Sequence, residues 1–153
     1  MHKVFGRKCD APFLNRKGAY VIPFHEGKIA VIRTPKGYFF IGGGLLEMEC
    51  DSDCILRECI EETGYGVEVQ QKICSAETFT FHPQLGYFHP IQTYYCGILT
   101  EKKAEPIETD HSMVWGTPAQ LQGKMFSEMQ NWALSVFAQQ ADHFESSGNY
   151  NEG

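Results

Sequence analysis

The stretch GGLLEMECDSDCILRECIEETGY, residues 43 to 65, constrains this chain more than any other. It places a glycine run and a lone glutamate ahead of a segment carrying Arg57, Glu58, Glu61 and Glu62. That segment predicts a helix: Asp51 or Ser52 can cap its start, and Gly64 stands where a left-handed C-cap is expected. At about 100° per residue, Glu58, Glu61 and Glu62 fall within one arc of roughly 100°. Leu56, Cys59, Ile60 and Thr63 fall on the opposite face, so the helix is expected to be amphipathic with an acidic outer face.

Three neighbouring carboxylates repel one another, and their ionised forms are costly when partly buried unless a cation neutralises them. Magnesium or manganese suits that demand, because hard divalent ions prefer oxygen ligands and share coordination with substrate phosphates. The bland alternative is a solvated acidic face, since surface helices are rich in glutamate. The wider spacing argues against it. The stretch satisfies G-x5-E-x7-R-E-U-x-E-E-x-G-U, with U a bulky apolar residue, through Gly43, Glu49, Arg57, Glu58, Glu61, Glu62 and Gly64. Seven fixed identities, each met by chance about once in fifteen, coincide on the order of once in 10⁸ starting points on ordinary residue usage.

This pattern resembles the Nudix box of the MutT-like hydrolases. The resemblance is tight over residues 43 to 65 and looser from about Gly18 to the C-terminal helix. It implies a loop-helix-loop that binds divalent metal, Mg²⁺ or Mn²⁺, and the diphosphate of a nucleoside diphosphate linked to another group X. Carried across, it implies that Glu58, Glu61 and Glu62 are metal ligands, with a backbone carbonyl of Gly42 or Gly43 as a further ligand. Arg57 would hold the glutamates in position, paired with Glu49; a guanidinium fork fixes a carboxylate bidentately in a way lysine cannot. The implied reaction is metal-dependent hydrolysis to a nucleoside monophosphate and phosphorylated X. The alternative is a module on the same fold that binds a nucleotide or ADP-ribose without turning it over.

Some positions depart from the family pattern. Ile41 stands where proline is common, and Leu46 and Met48 stand where glutamate and glycine are common. A positive φ at position 48 would be strained in methionine. None of these changes removes a proposed ligand.

The general base is open between a box glutamate and an acid of the stretch EKKAEPIETDH, where Glu105, Glu108 and Asp110 are candidates and Glu108 is favoured. For substrate binding, the glycines Gly42, Gly43 and Gly44 would admit the diphosphate. Phe40 could line the pocket, and the segment from His82 to Pro90 offers His82, Tyr87 and His89 for stacking or for phosphate. Each of these has a packed or solvated alternative.

With 153 residues and 42% hydrophobic content, the chain can bury one sizeable core. We expect one domain, residues 1–145, and a disordered polar tail, residues 146–153. The net charge of -6 argues against nucleic acid as a partner, because no basic stripe is available for a phosphate backbone. The partner is expected to be a small nucleoside diphosphate derivative; a homodimer is compatible with the resemblance. Six cysteines lack the spacing of a zinc site or a disulfide framework, so they read as reduced, mostly buried thiols in a cytoplasmic protein. MHKVFGRKCD lacks a signal peptide's apolar run, and no segment is long enough to cross a membrane.

Strands are expected at Ala19–Phe24, Lys28–Thr34, Gly37–Ile41, Gly66–Phe81, Ile91–Thr100 and His111–Trp115. Pro23 marks the first as an edge or bulged strand. Thr117–Pro118 starts a short helix, and Ser127 caps a last helix whose Met129, Trp132, Ala133, Val136 and Phe137 form a core stripe. The order resembles the Nudix α/β/α sandwich: a mixed β-sheet, the box helix on one side and a C-terminal helix.

Overall fold

The computed structural model describes residues 1–107 and 110–148, with side chains described as far as residue 141. Three helices and eight strands follow one another as β1 (His2–Gly6), β2 (Leu14–His25), β3 (Lys28–Thr34), β4 (Gly37–Phe39), β5 (Ile41–Gly44), α1 (Asp51–Thr63), β6 (Tyr65–His82), β7 (Gly86–Lys102), β8 (Ser112–Gly116), α2 (Pro118–Leu121) and α3 (Glu128–Gly148). The strands line up as β1-β6-β7-β2-β3-β4, with β5 on β2 and β8 on β3. β1 with β6 and β2 with β7 run parallel, whereas the other pairs are antiparallel. The sheet is therefore mixed, and a helix covers each face.

Alternation along β2 divides the core between those two helices. Ala19 and Val21 point to one side, where they pack with Cys54, Ile55 and Cys59 of α1. Ile22 points to the other, against Ala133, Leu134 and Phe137 of α3. This is the expected α/β/α sandwich with its mixed sheet.

Pro23 is not on an edge, because β2 lies between β7 and the β3/β5 side. It falls after Val21↔Ile41, the last pair with β5, and before Phe24↔Ile29, the first with β3. A missing N–H costs nothing at that handover. Glu26 and Gly27, both at positive φ, close the tight β2–β3 hairpin. The segment read as a long loop from His82 to Pro90 is mostly strand, because the hairpin closes at His82↔Gly86. β1 and the extension of β2 back to Leu14 were not anticipated. All of these residues but Phe5 and Gly18 are exposed, so burial leaves no periodic mark on them.

Helix α1 is capped differently from the expectation. Cys50 is the N-cap and makes no side-chain cap bond, while Asp51 accepts a hydrogen bond from the Tyr95 hydroxyl at 2.6 Å. Gly64 takes the left-handed C-cap with φ 81°, as anticipated. The buried face comprises Cys54, Ile55, Cys59, Glu62 and Thr63, whereas Leu56 is exposed. The acidic arc therefore borders the core and does not face open solvent. Ser127 accepts from the N–H of Met129 at the start of α3.

Helix α3 continues to Gly148 and so takes in residues 146–148 of the expected tail; residues 149–153 lie outside the described residues. No helix among the described residues is long and apolar enough to cross a membrane. The cysteines are free; Cys54, Cys59 and Cys74 are buried, but Cys9 and Cys50 are exposed, contrary to the expectation of mostly buried thiols. Burial pushes the Cys54 and Cys59 thiols up to about 11 and Cys74 to about 12.

Candidate functional site

The glycine run, expected as a loop, is the strand β5, paired antiparallel with β2 through Gly18↔Gly44, Ala19↔Gly43 and Tyr20↔Gly42. Absence of side chains lets α1 sit close against it. A Cβ on Gly43 would lie 2.8 Å from the Glu58 carboxylate carbon, so glycine alone leaves that carboxylate its place. A Cβ on Gly42, at φ +148°, would meet the Ala19 carbonyl and the Tyr20 backbone. The Gly43 carbonyl, a proposed ligand, accepts a weak bond from the Cys54 thiol at 3.3 Å.

Arg57 organises the acids. Its Nε and Nη2 donate to the two oxygens of Glu49 at 2.7 and 3.0 Å, the fork pairing expected of them. Nη1 donates to Glu58 at 2.9 Å and reaches Glu61 at 3.5 Å, and Nη2 also donates to the Gly44 carbonyl at 3.2 Å. The Arg57 hydrogen bonds, followed by the Leu46 N–H, hold the Glu49 carboxyl down at about 2. The same bonds with Glu49 hold Arg57 above its ordinary range against the effect of burial. One guanidinium thus fastens the segment before the helix, the helix and the glycine strand together.

Met48 adopts φ +69° and is 97% exposed. The left-handed backbone that glycine would take at no steric cost is kept here by methionine, at about 1–2 kcal/mol. The Glu49–Arg57 bond just after it and the turn bond from the Glu49 N–H to the Leu46 carbonyl, 3.1 Å, impose it.

Two cavities flank β5. The larger, about 460 Å³, is lined by Tyr20, Phe39, Phe40, Glu62, Asp110 and His111 among others. Glu62 is only 9% exposed, and Phe40 is almost wholly buried, its ring edge-on to Tyr94. Phe40 serves the core and the cavity wall together. The smaller cavity, about 190 Å³, lies between Arg16, Tyr20, Gly43, Gly44, Phe88 and Gln92.

The β6–β7 hairpin lines these cavities with Phe88, Pro90 and Gln92, not with His82, Tyr87 or His89. Alternation explains why: His89 points to the opposite face of β7, where it lies 2.8 Å from Asn15 and 3.1 Å from Glu77 and stacks on Phe79. Tyr87 shares that alternation and packs on Phe13 and Phe81. His82 accepts from the N–H groups of Gln84 and Leu85 within the turn. Glu108 lies outside the described residues. Of its neighbours, Asp110 lines the larger cavity, whereas Glu105 is paired with Lys102 in solvent. Arg16, Tyr20, Gln92 and Phe39 were absent from the expected site, because nothing local marks which strands flank the glycines.

Hard carboxylate oxygens, packed against a strand stripped of side chains, form a donor set suited to a divalent cation. As placed, Glu58 and Glu61 are turned to Arg57, and no three His, Cys, Asp or Glu side chains converge as metal ligands among the described residues.

No protein-family model matches the chain, and no curated protein matches it in sequence. Solved structures do match in fold. The MutT Nudix hydrolase of Burkholderia pseudomallei has a TM-score of 0.64 at 17% identity, over 80% of this chain and 98% of that one. A Nudix hydrolase of Nitrosomonas europaea has a TM-score of 0.68 at 12% identity, over 82% and 90%. An ADP-ribose pyrophosphatase of Streptococcus suis has a TM-score of 0.59 at 17% identity, over 81% and 91%. The box geometry and these likenesses lead to one conclusion: the chain has the Nudix fold.

Proposed function

We propose that the chain hydrolyses the diphosphate linkage of a nucleoside diphosphate linked to a group X, releasing a nucleoside monophosphate and phosphorylated X. The observation that carries this reading is the gathering of Glu49, Glu58 and Glu61 by Arg57 against Gly44, with Glu62 at the wall of a ring-lined cavity. Likeness in fold to hydrolases of this class, among them the Streptococcus suis enzyme described as an ADP-ribose pyrophosphatase, supports it.

Glu58, Glu61 and Glu62, with the Gly43 carbonyl, would hold Mg²⁺ or Mn²⁺, which when bound neutralises phosphate charge and makes water more acidic. The protein's own residues do the remainder. Arg57 and Glu49 fix the carboxylates before substrate arrives, so little reorganisation remains for the reaction. Glycines 42 to 44 let a diphosphate approach the backbone. Tyr20, Phe39 and Phe40 offer apolar surface to a base. In-line attack breaks a bridging P–O bond, and the proton of the attacking water passes to a carboxylate. Glu108 is the proposed base; Asp110, from the same segment, lines the cavity with Glu62.

The test is product release from a panel of NTPs, ADP-ribose, NADH, nucleotide sugars and dinucleoside polyphosphates with Mg²⁺ or Mn²⁺, and with EDTA. We expect cleavage of one class, abolished by EDTA and lowered about 100-fold or more in Glu61→Gln at unchanged melting temperature. Full activity of that variant would sink the reading. Tight binding of ADP-ribose or a nucleotide without turnover would replace it by a binding module.

A further inference from the structure

The smaller cavity beside β5 contains a basic side chain that the box does not use. Arg16 lies flat along the glycine strand: a Cβ on Gly44 would come 2.5 Å from its Nε and 2.7 Å from its Nη2. Among the described residues no carboxylate forms an ion pair with it. Arg57, by contrast, is engaged by Glu49 before the helix and by Glu58 and Glu61 on it.

A chain of hydrogen bonds with a fixed direction ends at this cavity. The backbone N–H of Phe40 donates to Gln130 Oε1 at 2.8 Å, which settles how the buried Gln130 amide is turned. Its Nε2 therefore faces Gln92 and donates to Gln92 Oε1 at 3.4 Å. The Tyr94 hydroxyl donates to the same oxygen at 2.6 Å. With Oε1 of Gln92 doubly occupied, its Nε2 faces outward and donates to the Tyr20 hydroxyl oxygen at 3.5 Å. The Tyr20 proton is left to donate onward.

Arg16, Gln92 Nε2 and Tyr20 O–H are all donors, and they line one cavity next to the glycines. A cation with no carboxylate partner, beside an amide and a hydroxyl that can donate to the same space, suits an anion, and the fork of Arg16 suits a phosphoryl group. At about 190 Å³ the cavity is smaller than pockets that enclose drug-sized ligands, about 300–1,000 Å³.

We propose that Arg16, Tyr20 and Gln92 form a subsite for a terminal phosphoryl group, so that X is phosphoryl and the chain favours nucleoside triphosphates over diphosphates capped by a sugar or a second nucleoside. This rests on the hydrolase reading above. Tyr20 separates the two cavities: the nucleoside occupies the larger one and the end of the polyphosphate the smaller one. Gln130 and Tyr94 are positioning residues that keep the donors turned outward.

Binding of inorganic triphosphate to the whole protein in EDTA, by calorimetry, reads the subsite without turnover. We expect Arg16→Gln to weaken it about tenfold or more, the loss of a charge-assisted hydrogen bond, and Arg16→Lys to restore part of it. Tyr20→Phe, which keeps the ring, should weaken it about three- to tenfold. With Mg²⁺, Arg16→Gln should raise KM for a nucleoside triphosphate by a similar factor. Equal triphosphate affinity in wild type and Arg16→Gln overturns the subsite, even if hydrolysis of other substrates upholds the enzyme. Arginine-dependent triphosphate binding with no hydrolysis across the panel upholds the subsite and overturns the hydrolase.

Discussion

Two charged hubs in this molecule are built with opposite polarity. At the box, one cation, Arg57, gathers Glu49, Glu58 and Glu61, which stand 8, 1 and 4 residues from it in sequence. On the hairpin, one carboxylate, Glu77, gathers two imidazoles: His2 at 2.7 Å, 75 residues away, and His89 at 3.1 Å, 12 residues away. The first hub carries surplus negative charge that its own residues do not balance. The second sets one carboxylate between two imidazoles and gathers no surplus of like charge. A surplus held next to a cavity is what the proposed divalent cation would neutralise, whereas the second cluster ties β1 to β6 through His2 and Glu77.

The sharpest way to break this comparison is to remove the fork from Arg57. Arg57→Lys retains charge but cannot hold Glu49, Glu58 and the Gly44 carbonyl together, and we expect a loss of about 10–100-fold in kcat/KM with metal present. Near wild-type kinetics would show that the hub does not organise the site. A milder intrusion is Gly43→Ala, whose Cβ must displace the Glu58 carboxylate. The flexible end of a glutamate can move without unfolding the helix, so activity should fall about tenfold at an unchanged melting temperature.

The hairpin hub should affect stability and not turnover. Burial raises the Glu77 carboxyl, but hydrogen bonds from His2 and His89 outweigh it and hold the group below its ordinary 4.5. A depressed carboxylate contributes stability that is complete above pH of about 4.5 and is lost as pH falls through the folded-state value. Glu77→Gln should therefore lower the melting temperature at pH 6 and shrink the further drop between pH 5 and pH 3. A parallel acid decline in the variant would assign that decline to other groups. The smallest effect belongs to Met48→Gly. It removes about 1–2 kcal/mol of left-handed strain and restores unfolded-chain freedom, leaving a net gain of about 0.5–1 kcal/mol in urea unfolding. A net loss would mean that the segment before α1 is not strained.

The contrast in sequence separation also explains what could be read from the chain alone. Glu49 and Arg57 pair across a turn and the first helical turns, within the short motif that carries the family resemblance, and it was that resemblance that implied the partnership. The strain at Met48 was legible for the same reason. His89 was read as a binding residue because its chemistry is visible in sequence. Its partners Asn15 and Glu77 are not, since they depend on strand register, and a shift of one residue would have turned it toward the cavity. Leu56 was placed inward by a helical wheel, but the direction of the helix's buried face is set by what packs on it.

The resemblance carried by the box implied the fork between Glu49 and Arg57 and the sandwich; by itself, the sequence determined the acidic helix, its left-handed C-cap and the alternation along the strands. Those last three rest on backbone geometry that repeats over a few residues. Only the tertiary structure decided that the glycines form a strand on β2, that Glu62 faces inward, and that Arg16, Tyr20 and Gln92 meet beside them. Those facts arise where separate strands are brought into register by a shared core, and no local periodicity encodes which strand will be the neighbour of which.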